Sequence, residues 1–167
     1  MLRTTAFEKF TALCAILAGV TGFLYSLAFI VIARSTPNLG ALLSALFLTL
    51  GGLLTTAALS GLYLRVREFD SGFATLALAL GVAAAIGSTL HGGYDLANVL
   101  HSPDANIPNL ANLPSQVDPR GLLTFGVAGL SLFIFAALIR QSAQLSTGLG
   151  ALAYLLAVLL IIRRFPK

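Results

Sequence analysis

The run His91-Gly92-Gly93-Tyr94-Asp95 is the densest group of chemistry-bearing side chains in a chain that is otherwise mostly apolar. A His and an Asp four positions apart lie on one face of a helix. Such a pair offers an imidazole oriented by a carboxylate, or two ligands for a metal ion. Tyr94 and Asn98 add a phenol and an amide nearby, so His91, Tyr94, Asp95 and Asn98 form a candidate ligand-binding set. His101 extends the candidate metal set to His91, Asp95 and His101, and Asp104 or Asp118 offers a further acid for metal-assisted hydrolysis. The competing reading is structural. In it Asp95 forms an ion pair with Arg34 or Arg120, His91 bonds a carbonyl, and Tyr94 anchors at the lipid headgroups.

Residue inventory removes several sharper chemistries. A haem clasped by two histidines needs them face to face, whereas His91 and His101 on one helix stand roughly 15 Å apart. That leaves at most a single axial ligand and specifies no cofactor. A carboxylate-bridged di-iron centre draws on several Glu and on Glu-x-x-His pairs, and the chain's acids are Glu8, Glu68, Asp70, Asp95, Asp104 and Asp118. Cys14 is the one cysteine, so a thiol relay has no second partner; it reads as a packing residue in an apolar helix. Ser88 shares a helical face with His91, but nothing in the sequence activates it as a nucleophile.

These residues must be positioned by elements built for lipid. Of the 167 residues, 57% are apolar and 10% charged, against about 25% charged in an ordinary soluble domain. A soluble fold of this size would expose apolar patches far beyond what monomers tolerate. The charge-free gaps from Lys9 to Arg34, Arg34 to Arg65, Asp70 to Asp95, Arg120 to Arg140 and Arg140 to Arg163 hold 24, 30, 24, 19 and 22 residues. Each is close to the ~20 apolar residues that cross a bilayer as a helix. The spacing predicts an all-α integral membrane bundle of about five transmembrane helices, over 10–33, 39–64, 72–97, 121–140 and 146–163. The whole chain, 1–167, reads as one transmembrane domain. The first apolar run is about twice the 7–15 residues of a signal core, which predicts a retained span. The longest connection, 101–119, carries Pro103, Pro108, Pro114 and Pro119 and cannot hold a long helix.

The helix faces carry further information. Ala77, Gly81, Ala84, Ala85 and Ser88 fall in one sector of the third segment, which continues into His91, Tyr94, Asp95 and Asn98. Small residues let helices approach closely in lipid, and intramembrane polar groups face the bundle interior. The third helix is therefore expected to be central. Thr49, Gly52, Thr56, Ser60 and Tyr63 form a milder stripe on the second, where the hydroxyls are expected to bond backbone carbonyls or a neighbouring helix. Thr21 and Tyr25 read as packing residues of the first helix. Gly92 and Gly93 mark an end, a kink or a close approach by a backbone or ligand.

Five spans place Arg3, Lys9, Arg65, Arg67 and Arg140 on one side and Arg34, Arg120, Arg163, Arg164 and Lys167 on the other. Leaving out the C-terminal tail, the positive-inside rule predicts a cytoplasmic N-terminus in a bacterial-type inner or plasma membrane. The net charge of +4 belongs to membrane-flanking residues, so no nucleic-acid partner is implied. The partners implied are the lipid bilayer, a second copy of the chain or a larger membrane complex, and a lipid or small-molecule ligand. Three functions follow. The leading one is a non-catalytic subunit or self-associating bundle. The second is a lipid-, small-ligand- or cofactor-binding bundle with its polar pocket beneath the 101–119 loop. The third is a metal-assisted hydrolase.

Overall fold

The computed structural model describes residues 5–101, 121–142 and 145–162, and the regular structure in them is helical throughout. Five helices follow one another: α1 (Ala6–Ser35), α2 (Pro37–Val66), α3 (Ser71–Leu100), α4 (Leu122–Ser142) and α5 (Thr147–Ile162). The first four are long and apolar enough to cross a membrane. At 30 residues each, α1 to α3 reach about 45 Å, which a bilayer accommodates by tilt or by projecting helix ends. The 16 residues of α5 reach about 24 Å, less than a full crossing. Five helices are thus present as expected, with four full-length candidates among the described residues. This is an all-α membrane bundle. Large side chains such as Ile16, Phe23 and Leu90 stand exposed around it, and lipid covers such surfaces.

Local chemistry sets the helix ends. Thr5 and Glu8 form a reciprocal capping box at the start of α1, satisfying otherwise orphaned amides. Pro37 disfavours helical geometry at the residue before it, and Thr36 alone separates α1 from α2, at φ −137° and ψ 82°. Asp70 caps α3 by accepting the Phe73 amide at 2.9 Å. The charged segment around Arg67 and Glu68 turns the chain between α2 and α3, as its composition predicts.

The helices pack serially and antiparallel, α1 on α2, α2 on α3, α3 on α4, and α4 on α5. Glycines set the closest approaches. Gly92 of α3 lies against α2 so tightly that a Cβ there would fall 2.7 Å from both the Ala45 carbonyl and the Thr49 amide. Gly52 of α2 does the same against α3, where a Cβ would fall 2.6 Å from the Ala85 carbonyl. The two glycines therefore recess the seam from both sides. Ser131 of α4 donates a buried hydrogen bond to the Ala77 carbonyl of α3 at 2.7 Å. The Ser and Thr side chains of α2 behave as expected: Thr49, Thr56 and Ser60 bond carbonyls of their own helix.

The two ends of the bundle differ. Near the α2–α3 turn, Leu59, Val66, Ala74, Ala77, Phe135, Leu138 and Ile139 form a closed apolar core. Glu8 and Arg65 pair there at 2.9 Å and tie α1 to α2 through an exposed contact that solvent screens. Towards the other end the inward residues become small, and the interior opens.

Gly92 and Gly93 separate two roles that the sequence leaves merged. The helix runs straight through both to Leu100, so they mark neither an end nor a break. Gly92 is packed against backbone, while a Cβ at Gly93 meets nothing within 4 Å. Gly92→Ala is expected to cost about 1–3 kcal/mol through overpacking. Gly93→Ala should be neutral or stabilising by about 0.5–1 kcal/mol. Thermal unfolding of the two variants in detergent checks this, and equal effects would contradict it.

Candidate functional site

His91 sits one turn before Asp95 on α3, with its Nε2 3.4 Å from the carboxylate oxygen Oδ2. Its Nδ1 lies 3.4 Å from the Thr124 hydroxyl of α4. One tautomer satisfies both contacts: Nε2–H faces the carboxylate, and the Thr124 hydroxyl donates to Nδ1. The imidazole is thereby held from both sides by two helices. Its side chain is only 15% exposed, whereas that of Asp95 is 41% exposed. The carboxylate is the member of the pair presented outward.

Asp95 and His91 are presented to a cavity of about 330 Å³. Tyr25 and Phe29 of α1, Ser44 of α2, Phe125 of α4 and Leu160 of α5 complete its walls. A second space of about 500 Å³ shares Tyr25, Ser26, Leu48, Phe125 and Leu160 with it and runs towards Gly81 and Leu59. All five helices contribute to both. The polar side chains in the walls include Ser44 and Ser88, which bond carbonyls of their own helices. The deeper walls are largely alanine, glycine, leucine and phenylalanine.

Both π-helical stretches adjoin this space. Ala28–Ile32 in α1 contributes Phe29 and Ile30, and Leu122–Val127 in α4 contributes Thr124 and Phe125. A π turn widens a helix locally and is concentrated at functional positions. Here it brings Thr124 to the imidazole and Phe125 to the cavity wall. The approach of α4 depends on Gly87, where a Cβ would fall 2.6 Å from the Leu123 Cβ. A larger residue at 87 would push the Thr124 hydroxyl away from the ring.

The candidate ligand set is divided by this geometry. His91 and Asp95 line the cavity, while Tyr94 and Asn98 are half-buried on α3 and are not among its lining residues. His101 is exposed just beyond the helix end, and no group of three His, Cys, Asp or Glu side chains converges among the described residues. Arg34 is exposed at the end of α1, and Asp95 meets His91 rather than Arg34 in the ion pairs between described residues. Arg120, Asp104, Asp118 and most of the 101–119 loop lie outside the described residues.

Sequence reasoning passes over Thr124 and reads Tyr25 only as a packing residue. Thr124 is the hydroxyl nearest the start of its span, which is a weak signal, and only the fold brings it beside a residue 33 positions away. Tyr25 stacks on Phe29 with ring centroids 5.8 Å apart and also borders both spaces. The pair Tyr25-Ser26 is a polar interruption in an otherwise apolar run, which is the one hint the sequence contains. Known protein families, curated proteins and solved structures offer no match to this chain.

The chain contains two histidines, so ¹⁵N-histidine labelling yields a readable spectrum. Thr124→Val removes the donor without changing the shape of the side chain. It is expected to shift the His91 ring nitrogens and leave His101 unmoved. An unchanged His91 signal would show that the Thr124 contact does not set its tautomer.

Proposed function

We propose that this protein is a non-enzymatic membrane bundle that binds an amphiphilic small molecule, with its polar head at Asp95 and His91 and its apolar part in the space behind them. The observation that carries this reading is one partly exposed carboxylate, beside His91, on a cavity whose walls are mostly apolar and to which all five helices contribute. Binding sites for small molecules take this form, an apolar hollow with a few placed polar groups. Asp95 supplies hydrogen-bond acceptors, so the head group it suits carries donors, either an ammonium or hydroxyls. His91 and Thr124 hold that carboxylate in place. Tyr94 and Asn98 are peripheral in this reading.

Metal-assisted hydrolysis is less well supported, because the His91 ring is engaged at both nitrogens and its proposed companion His101 is exposed beyond the helix end. A role as subunit or self-associating bundle draws on the apolar outer faces of α1 and α5, but those faces serve lipid contact equally well. The N-terminus is proposed to be cytoplasmic, which puts Asp95 and the cavity mouth towards the outer face of an inner or plasma membrane.

Native mass spectrometry of protein released from gentle detergent tests the binding role. A retained amphiphile is expected, and Asp95→Asn should lower its occupancy roughly tenfold, since a charge-assisted hydrogen bond contributes about 1.5–3 kcal/mol. Failure to retain any amphiphile across several mild detergents would overturn the proposal.

A further inference from the structure

We infer that the cavity opens sideways into the bilayer between α1 and α5, and that the apolar part of its occupant is an acyl chain of a membrane lipid inserted through that opening. The inference rests on the binding role proposed above and adds the route and the source of the ligand.

Serial packing creates the opening. α1 lies against α2, and α5 lies against α4. Yet Ala18, Gly22 and Tyr25 of α1 line the same space as Leu156 and Leu160 of α5. Among the described residues no Cα of α1 comes within 8 Å of a Cα of α5 or α4. The ring of helices around the cavity is thus unsealed on one side by direct backbone packing. The residues flanking that side, Phe23 on α1 and Leu155 and Leu159 on α5, are exposed apolar side chains, so the medium outside it is hydrocarbon. On the α1 side, Gly22 lines the space and has open room where a Cβ would project.

The dimensions and polarity suit one acyl chain. The lining of α3 runs from Gly81 to Asp95, about 21 Å along the helix axis. Its deeper part is small and mostly apolar, with Ser88 bonded to its own helix, and it carries His91 and the carboxylate near the helix end, where a lipid head group would lie. Hydrocarbon gains nothing from the hydrophobic effect by passing from bilayer to cavity. What retains the chain is close packing along the walls and the polar contact at Asp95.

The chain contains no tryptophan, so a single introduced indole reports without background. Phe125→Trp places it in the cavity wall and Phe23→Trp places it on the lipid face. Both proteins are reconstituted in phosphatidylcholine vesicles with bromines midway along the acyl chains, which quench indole on contact. Quenching of Phe125→Trp is expected to approach that of Phe23→Trp. Adding Gly22→Phe, which fills the opening without meeting a neighbour at its Cβ, should cut the Phe125→Trp quenching by more than half and leave Phe23→Trp unchanged. Ala18→Phe is a second plug on the same wall, should Gly22→Phe fail to yield folded protein.

Quenching of Phe23→Trp alone would overturn the inference. So would stronger quenching of Phe125→Trp by aqueous iodide than by brominated chains, since the cavity would then open to water. Persistent quenching in both plugged proteins would also overturn it, because chains would be reaching Phe125→Trp from outside the cavity. A retained amphiphile without chain quenching leaves the binding role intact and removes the lateral route. Plug-sensitive quenching without a retained amphiphile has the opposite meaning: the opening exists, and the binding role fails.

Discussion

Close backbone approach between α2 and α3 is the contact on which the rest of the bundle depends. In hydrocarbon no solvent effect drives helices together, so association needs surfaces that fit and buried polar groups that find partners. Gly52 and Gly92 supply the fit from opposite helices, each accepting a backbone segment that a methyl group would displace. The hydroxyls nearby keep to their own carbonyls, so they add no unsatisfied polar group to the seam. With α2 and α3 locked, α1 is laid on one outer side and α4 on the other, and α5 follows α4.

That serial order explains why the interior is closed at one end and hollow at the other. Near the α2–α3 turn, the large side chains of Phe135, Leu138 and Ile139 fill the space beside α2 and α3. Further along, α3 presents Gly81, Ala84, Ala85 and Ser88, and side chains this small cannot span to α1 and α5. The same small residues that allow close packing on α2 leave space towards the other helices. The polar pair His91 and Asp95 then lies at the end of the hollow, held by Thr124 from a helix that approaches because residue 87 is glycine.

The fold class was legible from spacing alone. Five charge-free intervals predicted five helices, and their bounds match the observed helices to within a few residues. The predicted centrality of α3 follows from its small-and-polar face and agrees with its place between α2 and α4. The third helix ran on to Leu100 rather than 97, because residues such as Asn98 continue a helix as readily as they end it. The two π-helical stretches were not legible, since an extra residue in a turn depends on the neighbours it must meet. The site was legible only in part. His91 and Asp95 are local partners on one helix and show in a periodicity argument, whereas Thr124 and Tyr25 come from other helices.

The amino-acid order alone determined that this chain is built for lipid and that it is helical, and it singled out His91 and Asp95 as the candidate site. Burial of charge in hydrocarbon is costly enough that the placement of a few charged residues delimits the spans. Which helices would touch, and which would face each other across a gap, was decided by packing. Steric fit at Gly52, Gly87 and Gly92 is a relation between two surfaces, and a single strand of sequence carries only one of them at a time. The cavity is the sharpest case. It exists because α1 and α5 border the same space without packing against each other, a property of the assembled bundle that no segment possesses by itself.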